Sequence, residues 1–198
     1  DEPRSRFASN FFSGTYSIDR IVGAANMFDL LPAGKAPKKR TLDPTTSDLV
    51  KEMRLKFKSL PDSIARQEVL SALGRAGKAS LRDKITGRVD ILQNEVPGEF
   101  DGISLPCKQA VLCRNHFVHG SDAGFDYDVH FSAFAFLTDT LEFVFAISDL
   151  IELGWSYHSW IGQGTTMSHP FGAYAIEVKA NLSRFKTVLE AASPANPE

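Results

Sequence analysis

The sequence holds few of the residues that build zinc knuckles or disulfide frameworks. Its only two cysteines in 198 residues, Cys107 and Cys113, have no second cysteine pair near them. This pattern fits neither a structural zinc site nor a small disulfide-rich fold. We therefore expect both thiols to be reduced and the protein to be cytoplasmic.

A long uninterrupted hydrophobic run is also missing. The most apolar segment, residues 131–153, contains acidic side chains that the middle of a membrane span would not tolerate. It predicts a buried core helix and no membrane partner. No cationic and apolar leader precedes the fold, so nothing argues for secretion. The chain begins at Asp1 rather than Met, and we expect a single domain over residues 1–198 that is part of a longer protein.

The chain has no large excess of charge of either sign, since its net charge is −2. The charged residues are nevertheless unevenly distributed along the sequence. Residues 35–88 hold 14 Lys and Arg against 6 Asp and Glu, while the remainder holds 8 against 18. A basic segment of this kind predicts a surface for a polyanion, with Lys38, Lys39 and Arg40 as candidate RNA-binding residues. The alternative, that helical surfaces are simply rich in Lys and Arg, stays open.

Strand-like alternation is absent along the whole chain, whereas apolar residues recur at three- and four-residue spacings. The pattern predicts an all-α bundle in which the shorter helices at residues 47–92 decorate one side of the long ones. A helix capped by Ser104 ends at Gly120, and the long apolar helix that follows should lie at the centre. The predicted helices span residues 5–31, 47–57, 64–73, 80–92, 104–119, 129–153 and 173–189, with loops at 33–44 and 154–172.

The end of the helix at 104–119 carries the most informative chemistry, an Arg, a polar residue and a His in the order Arg114, Asn115 and His119. A guanidinium can hold phosphate oxygens in a bidentate fork, and an imidazole can move a proton near neutral pH. Together they could cleave a phosphodiester without a metal. These three residues are the candidate catalytic set.

Helical geometry sets a condition on this set. Asn115 and His119 share a face, whereas Arg114 and His119 are about 140° apart on an ideal helix. They converge if His119 lies in the last turn, which Gly120 favours, or if a second copy supplies the partner across a two-fold axis. His116 points to a different face, as a surface residue or a supporting group.

Simpler interpretations of the same residues remain open. The sole role of Arg114 could be a salt bridge with Asp122 or Asp126 in the next turn. The sole role of His119 could be a favourable interaction with the dipole of the helix end.

The order of the elements resembles the HEPN superfamily: a long helix, shorter helices, Arg-Asn-x-x-x-His-Gly, a Gly/Asp turn and a long apolar helix ending in Glu152-Leu153-Gly154. The opening Arg6-Phe7 helix and the segment from Asp149 to Trp155 look most like HEPN domains of the ApeA type. The likeness covers about residues 5–190 and is specific only at the motif and its flanks. It implies a HEPN-like helical bundle with short additional helices inserted after the first long helix.

The resemblance also implies an activity. Such domains are metal-independent endoribonucleases that use no cofactor, often in anti-phage defence or toxin–antitoxin systems, and Arg114, Asn115 and His119 match their active positions. The ribose 2′-hydroxyl would attack the adjacent phosphorus and leave a 2′,3′-cyclic phosphate and a 5′-hydroxyl. His119 would move the proton, Arg114 would stabilise the phosphoryl charge, and Asn115 would orient the phosphate or His119.

The resemblance further implies partners, namely RNA and a second copy with the motif helices near a two-fold axis, and a sensor domain could belong to the same parent chain. Some HEPN toxins carry a Tyr two residues after the motif His, where a nucleotidyltransferase modifies it. Ser121 occupies that position here, so neutralisation by that route is not expected.

Two competing interpretations remain. The chain could be a catalytically inactive HEPN domain that binds RNA, nucleotide or another protein, or a structural module that dimerises a larger protein. Trp155, Tyr157 and Trp160 would then be interface anchors, unless the loop that holds them folds over the core. His158 and His169 lack the cysteine or paired carboxylate spacing of a metal site.

Overall fold

The computed structural model describes residues 2–32, 34–35, 37, 42–164 and 167–192, and every regular element in this part of the chain is a helix. The all-α prediction is confirmed. The chain forms two compact units, residues 1–35 with 81–198 and residues 36–80. The helices of the first unit are α1 (Glu2–Phe11), α2 (Ile18–Asp29), α5 (Leu81–Glu95), α6 (Ser104–His119), α7 (Phe131–Glu152), α8 (Tyr157–Gly162) and α9 (Pro170–Ala192), and those of the second are α3 (Pro44–Ser59) and α4 (Ile64–Arg75).

Helix α7 forms the centre of the first unit, as its apolar composition predicts. Nearly all of its side chains from Ala133 to Asp149 are buried, because α2, α5, α6 and α9 pack around it. The ring of Phe143 is fully buried and stacks on Tyr174 of α9 at 4.4 Å between centroids. Each such side chain contributes about 1.5–3 kcal/mol through burial. None of the described helices is long and apolar enough to cross a membrane.

The prediction of a single long helix over residues 5–31 is wrong, because two helices occupy this segment. Gly14 adopts a left-handed φ of 71° in the turn between them, and the Ser17 side chain caps the second helix by accepting from the Arg20 amide at 3.2 Å. The Asn10 side chain also donates to the Arg20 carbonyl at 3.0 Å. The apolar spacing continues through the break because both helices pack on the same core.

Helix α5 also differs from the prediction, which placed it among decorating helices. Its side chains at Ile85, Val89 and Leu92 are at most 2% exposed, and the helix packs against α7. The i, i+4, i+7 spacing of these residues forms one apolar stripe, so the helix belongs to the core of the first unit.

The second unit is a hairpin of α3 and α4. Helix α3 begins at Pro44 with Asp43 as its N-cap, not at the predicted Ser47, because proline is favoured in the first turn and the Asp43 carboxylate accepts from the Thr46 amide at 2.9 Å. The Ser63 side chain caps α4 by accepting from the Arg66 amide at 3.2 Å. No side chain of either helix is buried, so this unit lacks a core of its own.

The segment predicted as a loop at residues 154–172 contains α8, whose N-cap is the Ser156 side chain. Tyr157 is fully buried with its ring 5.6 Å from that of Phe100, and the rings of Trp155 and Trp160 lie 5.6 Å apart. These aromatic side chains therefore cover the core of the first unit. Both tryptophans remain partly exposed.

Candidate active site

The motif lies at the C-terminal end of α6, a half-buried helix. Ala110 and Cys113 are fully buried and fix the helix against the core, whereas Arg114 and Asn115 are half-buried and His119 is exposed. Gly120 ends the helix with a left-handed φ of 67°, as predicted. At the other end the predicted cap is wrong, because Ser104 is the first helical residue and the residue before it makes no side-chain capping bond.

Arg114 and His119 meet despite their angular separation on the helix. Nη1 of Arg114 lies 2.8 Å from Nε2 of His119. A guanidinium only donates hydrogen bonds, so Nε2 accepts and the proton of the neutral ring lies on Nδ1. The long arginine side chain spans the angle to the last turn of the helix. A single chain therefore brings the two groups together.

The remaining partners of the Arg114 guanidinium are amides. Nη1 also donates to Oδ1 of Asn115 at 3.1 Å, and Nη2 donates to Oδ1 of Asn26 in α2 at 3.4 Å. Nε is buried and makes no hydrogen bond within the described protein. All the acceptors are neutral, so the positive charge of Arg114 is oriented but not compensated by a carboxylate.

The alternative salt bridge from Arg114 to the following turn is not formed. Oδ1 of Asp126 instead accepts from the amides of Asp128 and Val129 at 3.0 and 2.9 Å, which is the geometry of a turn-forming aspartate. Asp122 is exposed. The acidic residues after the motif therefore shape the connection to α7 and leave the guanidinium available.

His116 faces away from Arg114, as its position predicts. Its Nδ1 lies 2.7 Å from the carbonyl oxygen of Ser121, so this nitrogen donates to the backbone after the helix. Its ring lies 5.0 Å from that of Phe117 and 5.6 Å from that of Tyr127. These contacts fasten the turn that follows Gly120 and place His116 beside the candidate site.

Asn26 is the one residue of this cluster that the sequence analysis missed. It belongs to a segment read as an apolar stripe, and its neighbours Ala25 and Met27 are fully buried. The available signal was the amide itself, a polar side chain inside an otherwise apolar run. The sequence does not show that this amide faces α6, because that contact depends on how the two helices pack.

The basic residues Lys38, Lys39 and Arg40 lie outside the described residues. The unit that contains them holds 10 Lys and Arg against 5 Asp and Glu in residues 36–80. Elsewhere, Nδ1 of His169 accepts from the Phe171 amide at the start of α9. No group of three His, Cys, Asp or Glu side chains suited to a metal ion occurs in the described part of the chain.

A helical bundle with an Arg-His helix end is the arrangement expected of a HEPN domain. Residues 22–159 match the family described as Apea-like HEPN, and because this is more than half of the chain, the protein belongs to that family. The matched range spans the positions of the motif and of Asn26, and it runs through residues 33–103, where the resemblance of the motif is not specific. HEPN domains are typically ribonucleases, and they often dimerise and bind RNA. No curated protein and no solved structure matches the chain.

Proposed function

We propose that this protein is a metal-independent endoribonuclease. The observation that carries the proposal is the 2.8 Å contact between Arg114 and His119, in which the guanidinium is held by neutral acceptors alone. A charge oriented in this way favours an anion, and the adjacent imidazole nitrogen is in its proton-accepting form. A phosphodiester with a neighbouring 2′-hydroxyl supplies both a matching anion and a proton.

The reaction begins when a phosphate of RNA takes the donors of Arg114, which frees Nε2 of His119. Nε2 accepts the proton of the 2′-hydroxyl while the 2′-oxygen bonds to phosphorus, and Arg114 stabilises the charge on the non-bridging oxygens. The bond from phosphorus to the 5′-oxygen breaks, and that oxygen takes up a proton from an imidazolium, either His119 or its copy in a dimer. The products are a 2′,3′-cyclic phosphate and a 5′-hydroxyl, and Asn115 keeps Arg114 aligned.

A homodimer with the motif helices near its two-fold axis is part of the proposal. Apolar side chains remain exposed on α6, just before α7 and at its start, where a second copy would cover them. Leu112 is 45% exposed, Val118 44%, Val129 72% and Phe131 52%. Two copies of the Arg-His pair could then act on one RNA strand. We place the action in the cytoplasm, in anti-phage defence or a toxin-like stress response.

The test is cleavage of an end-labelled structured RNA in EDTA by the purified protein. Arg114→Ala and His119→Ala should each lower the rate by at least about 100-fold, the usual scale for a lost acid–base or charge-stabilising group. Arg184→Ala and His158→Ala remove the same residue types from exposed positions on other helices and should leave the rate unchanged. The product 3′ ends should accept a ligation adaptor only after the cyclic phosphate is removed.

Two results would count against the nuclease. Cleavage that survives both motif substitutions would place the activity elsewhere or in a contaminant. RNA binding without cleavage by a folded dimer would instead favour the inactive module that binds RNA or nucleotide.

A further inference from the structure

Asn26 contacts the candidate active site from a neighbouring helix. Its side chain is half-buried on α2, and its Oδ1 accepts from Nη2 of Arg114 at 3.4 Å. The orientation of the amide follows from the partner, because a guanidinium offers only donors and the oxygen must face it. Asn26 therefore holds one branch of the guanidinium, while Asn115 and His119 hold the other.

The neutrality of its partners distinguishes Arg114 from the arginines of the described chain that are paired with carboxylates. Four of them have a carboxylate oxygen within 2.8 Å. These pairs are Arg4 with Asp149, Arg20 with Glu142, Arg66 with Asp62, and Arg88 with Glu152. Arg114 has three hydrogen-bonding partners, at 2.8 to 3.4 Å, and none of them carries an opposite charge.

We propose that Asn26 is a positioning residue that orients Arg114 toward the scissile phosphate while leaving its positive charge for that phosphate. This inference rests on the proposed ribonuclease function and adds a residue from α2 to its machinery. An aspartate in the same place would have nearly the same shape but would pair with the guanidinium and compete with RNA. An alanine would leave the charge free and release Nη2.

The two substitutions therefore separate charge from orientation. Asn26→Asp should weaken binding of a single-stranded oligonucleotide with 2′-deoxy sugars, which cannot be cleaved by this reaction, by about tenfold. Asn26→Ala should leave that binding within about twofold but lower kcat on RNA by about tenfold, because the guanidinium is no longer held in its productive geometry. A merely structural asparagine would affect stability in both variants without this division.

Asn181→Asp is the matched control. Asn181 lies on α9, and its Oδ1 accepts from an arginine, Arg184, at 3.3 Å in an exposed position. The control makes the same charge change beside the same residue type, and it should alter neither oligonucleotide binding nor kcat. Fluorescence anisotropy measures the binding, and thermal unfolding checks that each variant is folded.

The hydrogen bond is tested on the protein alone, so that its failure can be distinguished from failure of the ribonuclease proposal. Rotation of the Arg114 guanidinium, followed by 15N NMR, should be slow in the native protein and faster in Asn26→Ala. Unchanged rotation would overturn the positioning role even if RNA is cleaved. Undiminished oligonucleotide binding by Asn26→Asp would overturn the role of neutrality, and full kcat in Asn26→Ala would overturn the role of orientation. Slow rotation in a wild-type protein that does not cut RNA would support the contact and reject the nuclease.

Discussion

Asp139 offers a prediction about stability that follows from an incompletely compensated carboxylate. Its two oxygens accept from the Tyr16 hydroxyl at 2.9 and 2.7 Å. Arg20 lies 3.9 Å away but forms its short, two-pronged pair with Glu142. Burial therefore dominates and raises the pKa of Asp139 to about 6, although the Tyr16 hydrogen bond and Arg20 oppose it.

The sign of the effect follows from proton linkage. The native chain holds a proton on Asp139 up to about pH 6, whereas an unfolded aspartate loses it near a pKa of about 3.9. The native state binds more protons between these values, so this group makes the free energy of unfolding fall as the pH rises from about 4 to about 6.

The magnitude is limited by solvent. A shift of about two pKa units corresponds to about 3 kcal/mol for a group that is fully shielded. The Asp139 side chain is 36% exposed, so water screens the effect and we expect about 1 kcal/mol. Asp139→Asn keeps an oxygen that accepts from Tyr16 and removes the titration. The variant should therefore match the native protein near pH 4 and exceed its stability by about 1 kcal/mol above pH 7.

Urea unfolding of both proteins at about pH 4, 5, 6, 7 and 8 measures this difference. Asp101→Asn, at an exposed position, controls for the change in net charge. The informative quantity is the difference between variant and native protein, which cancels the other titrating groups. A difference that stays constant from pH 4 to 8, or that favours the native protein at high pH, would refute the reasoning.

Three further predictions concern the core and the motif helix. Glu142→Ala should cost about 3 kcal/mol in urea unfolding, because the buried Arg20 loses its two-pronged partner and keeps only Asp139 at 3.9 Å, and a loss under 1 kcal/mol would contradict this. Gly120→Ala should lower the free energy of unfolding by about 1 kcal/mol, because Gly120 has a left-handed φ, and it should slow RNA cleavage by disturbing the helix end. An unchanged stability together with an unchanged cleavage rate would contradict this prediction. Burial raises the pKa of Cys107 and of Cys113 to about 12, so both thiols should react with a disulfide reagent at pH 8 at least about 100-fold more slowly in the native protein than in urea.

The periodicity of apolar residues was sufficient to predict the helical class and the central helix. The segment at 129–153 is apolar almost all round, and only the middle of a bundle buries a helix on every side, so α7 could be predicted closely. Local capping was less certain. Proline at 44 and aspartate at 43 started α3 earlier than Ser47, because several polar residues in that segment are all competent caps.

The break between α1 and α2 could not be predicted from the same periodicity. Both helices present apolar side chains to one core, and the spacing continues through a turn whose only strong signal is a glycine. Likewise, the local sequence of α5 predicts a short amphipathic helix, but it does not indicate that this helix packs against α7. These outcomes depend on which apolar helix faces pack together, and the spacing of apolar residues alone does not determine this pairing.

By itself, the sequence determined the identity of the motif residues, their place at a helix end fixed by Gly120, and the likeness to HEPN domains. These depend on residue type and on separations of a few positions, which local geometry controls. Only the tertiary structure decided that the guanidinium of Arg114 reaches His119 and that Asn26 of a different helix holds its other branch. The Asn26 contact arises because packing brings α2 against α6, whereas the Arg114 side chain reaches His119 along its own helix. The charge of Arg114 stays free because its partners are two amides and an imidazole and not a carboxylate.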